Sequence, residues 1–165
     1  MPIELLIKGF YPDQADALFQ RASHFSDLMN GSTGALTFKG LPAVQMEEGT
    51  TYTADVFAFG VIKQRDYQIR IDRLCQCARV LETTQRSALI RSCHHHIQIK
   101  PTPTGSVWID RITIEAGLVT PILSYFAAGV LRQRHNNRSA ECVDIQVGKS
   151  YRSIRSELPM YQAAE

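Results

Sequence analysis

Two stretches of alternating apolar and polar residues, 88–100 and 106–115, flank Pro101-Thr102-Pro103-Thr104-Gly105, and this layout constrains the chain more than any other feature. Period-two alternation marks a strand with one buried face, and the spacer holds the residues a tight reversal needs, so a hairpin is predicted. Successive side chains of a strand point to opposite faces. Leu89, Cys93, Ile97 and Ile99 share parity, which makes theirs the core face and puts His95 on it. His94 and His96 then face outward beside Gln98 and Lys100. In the partner strand Trp108, Ile112 and Ile114 mark the core face and carry Asp110 with them. A turn centred near Pro103-Thr104 sets Ile99 opposite Trp108, Ile97 opposite Asp110 and His95 opposite Ile112. His95 is then diagonal to Asp110, a separation long side chains can span.

The remainder of the chain fits around this hairpin. Residues 3–8 read as a short strand, and Tyr11-Pro12-Asp13 reads as the opening of a helix carrying Leu18, Phe19, Ala22 and Phe25 at helical spacing. That helix is expected to end by Asn30-Gly31, with residues 31–34 as a loop. Residues 51–59 are rich in Thr, Tyr, Val and Phe, and Tyr67, Ile69 and Ile71 alternate with Gln68, Arg70 and Asp72; both read as strands, with 78–83 a weaker candidate. Ala116-Gly117 breaks the β pattern. From Leu118 to about His135 the spacing of Ile122, Phe126 and Val130, with Leu123 and Tyr125, predicts a long helix with Pro121 in its first turn. Its start is apolar around most of the circumference and is expected to be covered. Beyond Asn137 clear periodicity is lost, so residues 1–137 are read as one domain and 138–165 as a surface-attached tail or short extra element. The fold class is therefore α+β, a curved antiparallel sheet covered by a C-terminal helix.

Composition excludes several functions. A net charge of +2 in 165 residues leaves no electrostatic footprint for a polyanion, so no nucleic-acid partner is expected. The basic run Arg132, Arg134, His135, Arg138, followed by Lys149, Arg152 and Arg155, reads as a solvated helix end complementing the dipole. No stretch is long and apolar enough for membrane insertion, and Met1-Pro2-Ile3-Glu4 lacks the pattern of a signal peptide, so a cytoplasmic location is expected. The thiols Cys75, Cys77, Cys93 and Cys142 are then expected to be reduced.

Few constellations carry chemistry. A carboxylate such as Asp110 could orient His95 for proton transfer to a bound molecule; equally, the two could form a buried pair that satisfies itself and fixes register. Cys75-Gln76-Cys77 lacks the second ligand pair a structural zinc requires, and no metal or other cofactor is expected. Gly148-Lys149-Ser150 has Val143 where a phosphate loop needs its earlier glycine, and no Gly-x-Ser-x-Gly occurs.

Residues 49–134 resemble the START-like, SRPBCC helix-grip superfamily, in particular its bacterial ligand-binding and polyketide-cyclase-like members. The resemblance lies in Gly49 and Phe59-Gly60 around one strand, the alternating Tyr67-Gln68-Ile69-Arg70-Ile71, and Gln85 followed by Cys93-His94-His95. Asp110-Arg111-Ile112-Thr113-Ile114, Gly117 and Arg134-His135 complete it. The chain departs from the family pattern at Ala88-Leu89, Cys93 and Ile97. The resemblance implies a helix-grip fold with a cavity for small hydrophobic or amphipathic molecules between the sheet and the last helix. Its wall is expected to include Tyr67, Ile69, Ile71, Cys93, Ile97, Trp108, Ile112, Ile122 and Phe126, with His95, Asp110 and Tyr125 as polar contacts. A second reading is a cyclase or dehydratase with His95 as acid/base and Asp110 as its orienter. A third is a homodimer formed through the sheet edge or the tail.

Overall fold

The computed structural model describes residues 1–148. Strand β1 (Ile3–Tyr11) is followed by helices α1 (Ala15–Ala22) and α2 (Phe25–Gly31), and then by β2 (Leu36–Lys39) and β3 (Thr51–Ala58). Next come β4 (Ile62–Cys75), β5 (Val80–Arg86), β6 (Ser92–Thr102) and β7 (Gly105–Glu115). A single 3-10 turn, Gly117–Val119, leads into helix α3 (Thr120–Asn137), and β8 (Cys142–Gly148) closes the order. All eight strands form one antiparallel sheet in the order β2-β3-β4-β5-β6-β7-β1-β8. Register shifts at Ala54/Val56 and Ile71/Arg73 bend strands β3 and β4, as bulges do.

The β6–β7 hairpin has the register read from alternation. Ile99 pairs with Trp108, Ile97 with Asp110 and His95 with Ile112, around a two-residue Pro103-Thr104 turn between paired Thr102 and Gly105. Gly105 closes this turn against β1. A Cβ there would collide with the Tyr11 carbonyl oxygen, so only glycine fits. Strand β6 begins at Ser92, later than the alternation suggested. Residues 87–90 instead form a turn in which the Ser87 amide bonds the Ile90 carbonyl, and Leu89 is exposed rather than on the core face.

Two helices stand where one was expected. Phe25 is fully buried, as its spacing implied, but Ser23 and His24 interrupt the helix. The Ser23 carbonyl accepts from the Met46 amide and the Phe25 amide donates to the Val44 carbonyl, so a crossing segment takes backbone groups that a continuous helix would use. The first helix also starts later than predicted. Tyr11 ends β1, paired with Ser106, and helix α1 opens after an extended Gln14.

The helices pack on the inner face of the sheet and define two apolar clusters. Leu18, Phe19 and Phe25 join Ile71, Ile99 and Trp108 in one, and Leu131 of α3 joins Leu5, Ile7 and Ile112 in the other. Residues 142–148, read by sequence as part of the tail, are the eighth strand, paired with β1 from Glu4↔Gly148 to Phe10↔Cys142. Residues 149–165, the rest of the expected tail with its Lys149, Arg152 and Arg155, lie outside the described residues. No helix among the described residues is long and apolar enough to cross a membrane.

Candidate functional site

Between sheet, α2 and α3 lies a cavity of about 140 Å³. Its walls are mostly aliphatic and aromatic, among them Leu36, Phe38, Ile69, Leu81, Ile114 and Leu123. Of the residues the sequence placed on its wall, Tyr67, Ile69, Cys93 and Ile97 line it from β4 and β6. Trp108 and Ile112 line it from β7, and Phe126 from α3.

Two expected wall residues, Ile71 and Ile122, and one expected polar contact, Tyr125, are elsewhere. Ile71 is fully buried, but within the cluster formed with α1 and α2. Ile122 and Tyr125 are 71% and 86% exposed, on the opposite side of α3. The helix presents Leu123, Phe126, Ala127, Val130, Leu131, Arg134 and Arg138 to the cavity instead, a stripe at three- and four-residue spacing. Its apolar start is not covered: Leu118, Val119, Ile122 and Tyr125 all face outward.

The polar end of the cavity is built on Asp110, which is buried in the middle of β7. Its Oδ1 accepts hydrogen bonds from His95 Nε2 at 2.6 Å and Trp108 Nε1 at 3.0 Å. Its Oδ2 accepts from His135 Nε2 at 2.7 Å. An ionised carboxylate only accepts, so both histidines carry a proton on Nε2. In a neutral ring Nδ1 is then an acceptor. His135 Nδ1 accepts from the Tyr11 hydroxyl at 2.6 Å, whereas His95 Nδ1 has no hydrogen-bond partner among the described residues. A chain Tyr11–His135–Asp110–His95 therefore runs through the interior, with an open acceptor at its cavity end.

Electrostatics follow this geometry. Burial alone would raise the Asp110 pKa, but the hydrogen bonds from His135 and His95, joined by Coulombic attraction whenever either ring takes a second proton, outweigh it and hold the carboxyl well below its usual range. Desolvation pushes the Tyr11 phenol up, which keeps it a donor, and likewise raises Tyr67. The Tyr67 hydroxyl donates to Gln85 Oε1 at 2.5 Å. Burial pushes the Cys93 thiol up to about 12. On the cavity wall Gln64 Oε1 is a buried acceptor with no donor among the described residues.

Arg132 is exposed as expected, but the rest of the basic helix end is not solvated. His135 is fully buried, Arg134 is 9% exposed, and Arg138 bonds Asp27 Oδ2 at 2.7 Å while its guanidinium lies 4.5 Å from the Trp108 ring centroid. These residues, with Tyr11, were missed as site residues. Their signal is spacing: 127, 130, 131, 134, 135 and 138 form one helical stripe, which a hydropathy reading cuts short where it turns polar. Cys75 and Cys77 approach to 3.1 Å between sulfurs, and among the described residues no three His, Cys, Asp or Glu side chains converge as a metal site.

The architecture is the helix-grip fold, a curved antiparallel sheet closed by a C-terminal helix. Among solved structures the chain is similar to Ara h 8.0201, with TM-score 0.58 and 11% identity over 83% of this chain and 99% of that one. It is similar to ginseng major latex-like protein 151 from Panax ginseng, with TM-score 0.58 and 11% identity over 82% and 97% of the two chains. It is also similar to protein Ms6760 from Mycobacterium smegmatis, with TM-score 0.65 and 10% identity over 81% and 86%. No family model matches the sequence, and no curated protein matches it. These similarities establish the fold.

Proposed function

We propose that the protein binds a small, largely apolar molecule in the cavity between the sheet and α3. The observation that carries this reading is a partly open cavity with mostly apolar walls and a few polar groups, His95, Asp110 and Gln64 among them, on its lining. Ligand sites combine these features, with the polar groups setting orientation. The volume of about 140 Å³ matches a single-ring molecule better than a long acyl chain, since an engineered apolar cavity of about 150 Å³ accepts benzene. Native mass spectrometry of freshly purified protein and a thermal-shift screen of one- and two-ring compounds test it. A ligand at one hundred times its Kd is expected to stabilise the fold by about 2.7 kcal/mol, a rise of roughly 5–10 °C in Tm. Uniform failure of such compounds to shift Tm overturns the reading.

One observation favours a second reading, an enzyme of the cyclase or dehydratase type. His95 is held by a buried carboxylate and has its other ring nitrogen open, the arrangement of an oriented general acid/base. Here His95→Ala is expected to lower turnover of a polyketide-like or aromatic substrate by about 10²–10⁴-fold while ligand affinity changes little. Equal loss of affinity and turnover assigns His95 to binding alone.

A further inference from the structure

We infer that Arg134 is an anion-recognition residue, and that the cavity's ligand is a small apolar acid whose carboxylate pairs with this guanidinium. The inference deepens the proposed function and rests on the cavity binding a ligand at all.

Arg134 lines the cavity from α3 and is 9% exposed. A guanidinium carries five N–H donors in a planar fork. In Arg134 the Nε group is used, donating to Ser32 Oγ at 2.7 Å, and the two terminal nitrogens have no hydrogen-bond partner among the described residues. No carboxylate of the described residues forms an ion pair with it. One turn further along the helix Arg138 is the opposite case, satisfied by Asp27 and stacked on Trp108. The buried carboxylate of this region, Asp110, is already occupied by His95, His135 and Trp108.

Asp110 attracts Arg134 through space but makes no ion pair or hydrogen bond with it, and the other neighbouring ionisable groups supply no anion. Tyr67 and Cys93 are both kept neutral by burial. Desolvation lowers the Arg134 pKa only to about 10, so the group remains a cation at neutral pH. An unpaired buried cation is costly, and a fold tolerates one where the counter-ion arrives with a ligand. The guanidinium fork matches a carboxylate in two parallel hydrogen bonds, which gives direction as well as affinity. The apolar walls then take the rest of the molecule.

Three one-ring probes separate the possibilities by calorimetry on the full-length protein: toluene, phenylacetamide and phenylacetate. Wild type is expected to bind phenylacetate at least tenfold more tightly than phenylacetamide. Arg134→Met is expected to lose at least tenfold in affinity for phenylacetate while its affinity for toluene stays within about threefold. Equal affinity of wild type for the acid and the amide overturns the inference without any variant and leaves the apolar cavity standing. So does an Arg134→Met protein that binds toluene and still prefers the acid, since the guanidinium would then serve only as a distant counter-charge to Asp110. Failure of wild type to bind all three probes removes the cavity reading and the inference together.

Discussion

Replacing Asp110 with alanine is expected to destabilise the protein by about 3–5 kcal/mol, the cost of removing one partner from a buried, hydrogen-bonded polar group. The side chain accepts from His95, His135 and Trp108, and each of these donors would be left in the interior without a partner. Urea unfolding followed by far-UV circular dichroism measures the loss without relying on Trp108, the single tryptophan, whose surroundings change. The pH dependence has a definite sign. The folded-state pKa of Asp110 lies below its unfolded value, so the stability it contributes is fully present above the unfolded carboxyl pKa of about 4 and is lost as pH falls from there toward the folded value. The stability gap between wild type and Asp110→Ala should therefore be constant near neutrality and narrow below about pH 4. A gap unchanged down to pH 2 would show that the carboxyl is not ionised in the folded protein.

The second large effect is expected at Gly9, two residues before the end of β1. A Cβ there would overlap the His135 imidazole, meeting Nδ1, the atom that accepts the Tyr11 hydroxyl. Gly9→Ala should cost about 2–3 kcal/mol through overpacking, because the ring cannot move without releasing both Tyr11 and Asp110. A double-mutant cycle checks the cause. With His135→Ala already present the clash is gone, so the second substitution should add much less than it costs alone, a coupling of about 1–3 kcal/mol. Strict additivity would place the effect of Gly9→Ala in the strand backbone instead.

The sheet and part of the polar interior are legible in the sequence because strands announce their faces. Period-two alternation assigned His95 and Asp110 to one side, and the Pro-Thr turn set the register that lets them meet. Helix α3 was harder. Its first turns are apolar all round, so periodicity could not choose a face, and Ile122 and Tyr125 were placed inside when Leu123 and Ala127 are the ones that point inward. Further along, Arg134, His135 and Arg138 continue the inner stripe with polar groups. Their burial depends on partners from distant elements, Ser32, Asp110 and Asp27, which local sequence cannot reveal. The same holds for Tyr11, read as a helix start but drawn into β1 by Ser106 and into the interior by His135. Strand β8 did carry a signal, the alternation of Val143, Ile145 and Val147, within a short segment of otherwise polar residues.

The place of β1 between β7 and β8 also sets an order of events during folding. Hairpins from β3 to β7 join neighbours in the chain, and each can close with a short loop. Strand β1 must wait, since Ile3 faces Ile114 and Leu5 faces Val147. Closing so long a loop costs entropy before any pairing repays it, and chains dominated by such contacts fold in milliseconds to seconds. A nascent chain leaving the ribosome therefore holds β1 unpaired until β7, through Glu115, has emerged. Tyr11, His135, Asp110 and His95 come from β1, α3, β7 and β6, so their hydrogen-bonded chain forms only when that late pairing is made.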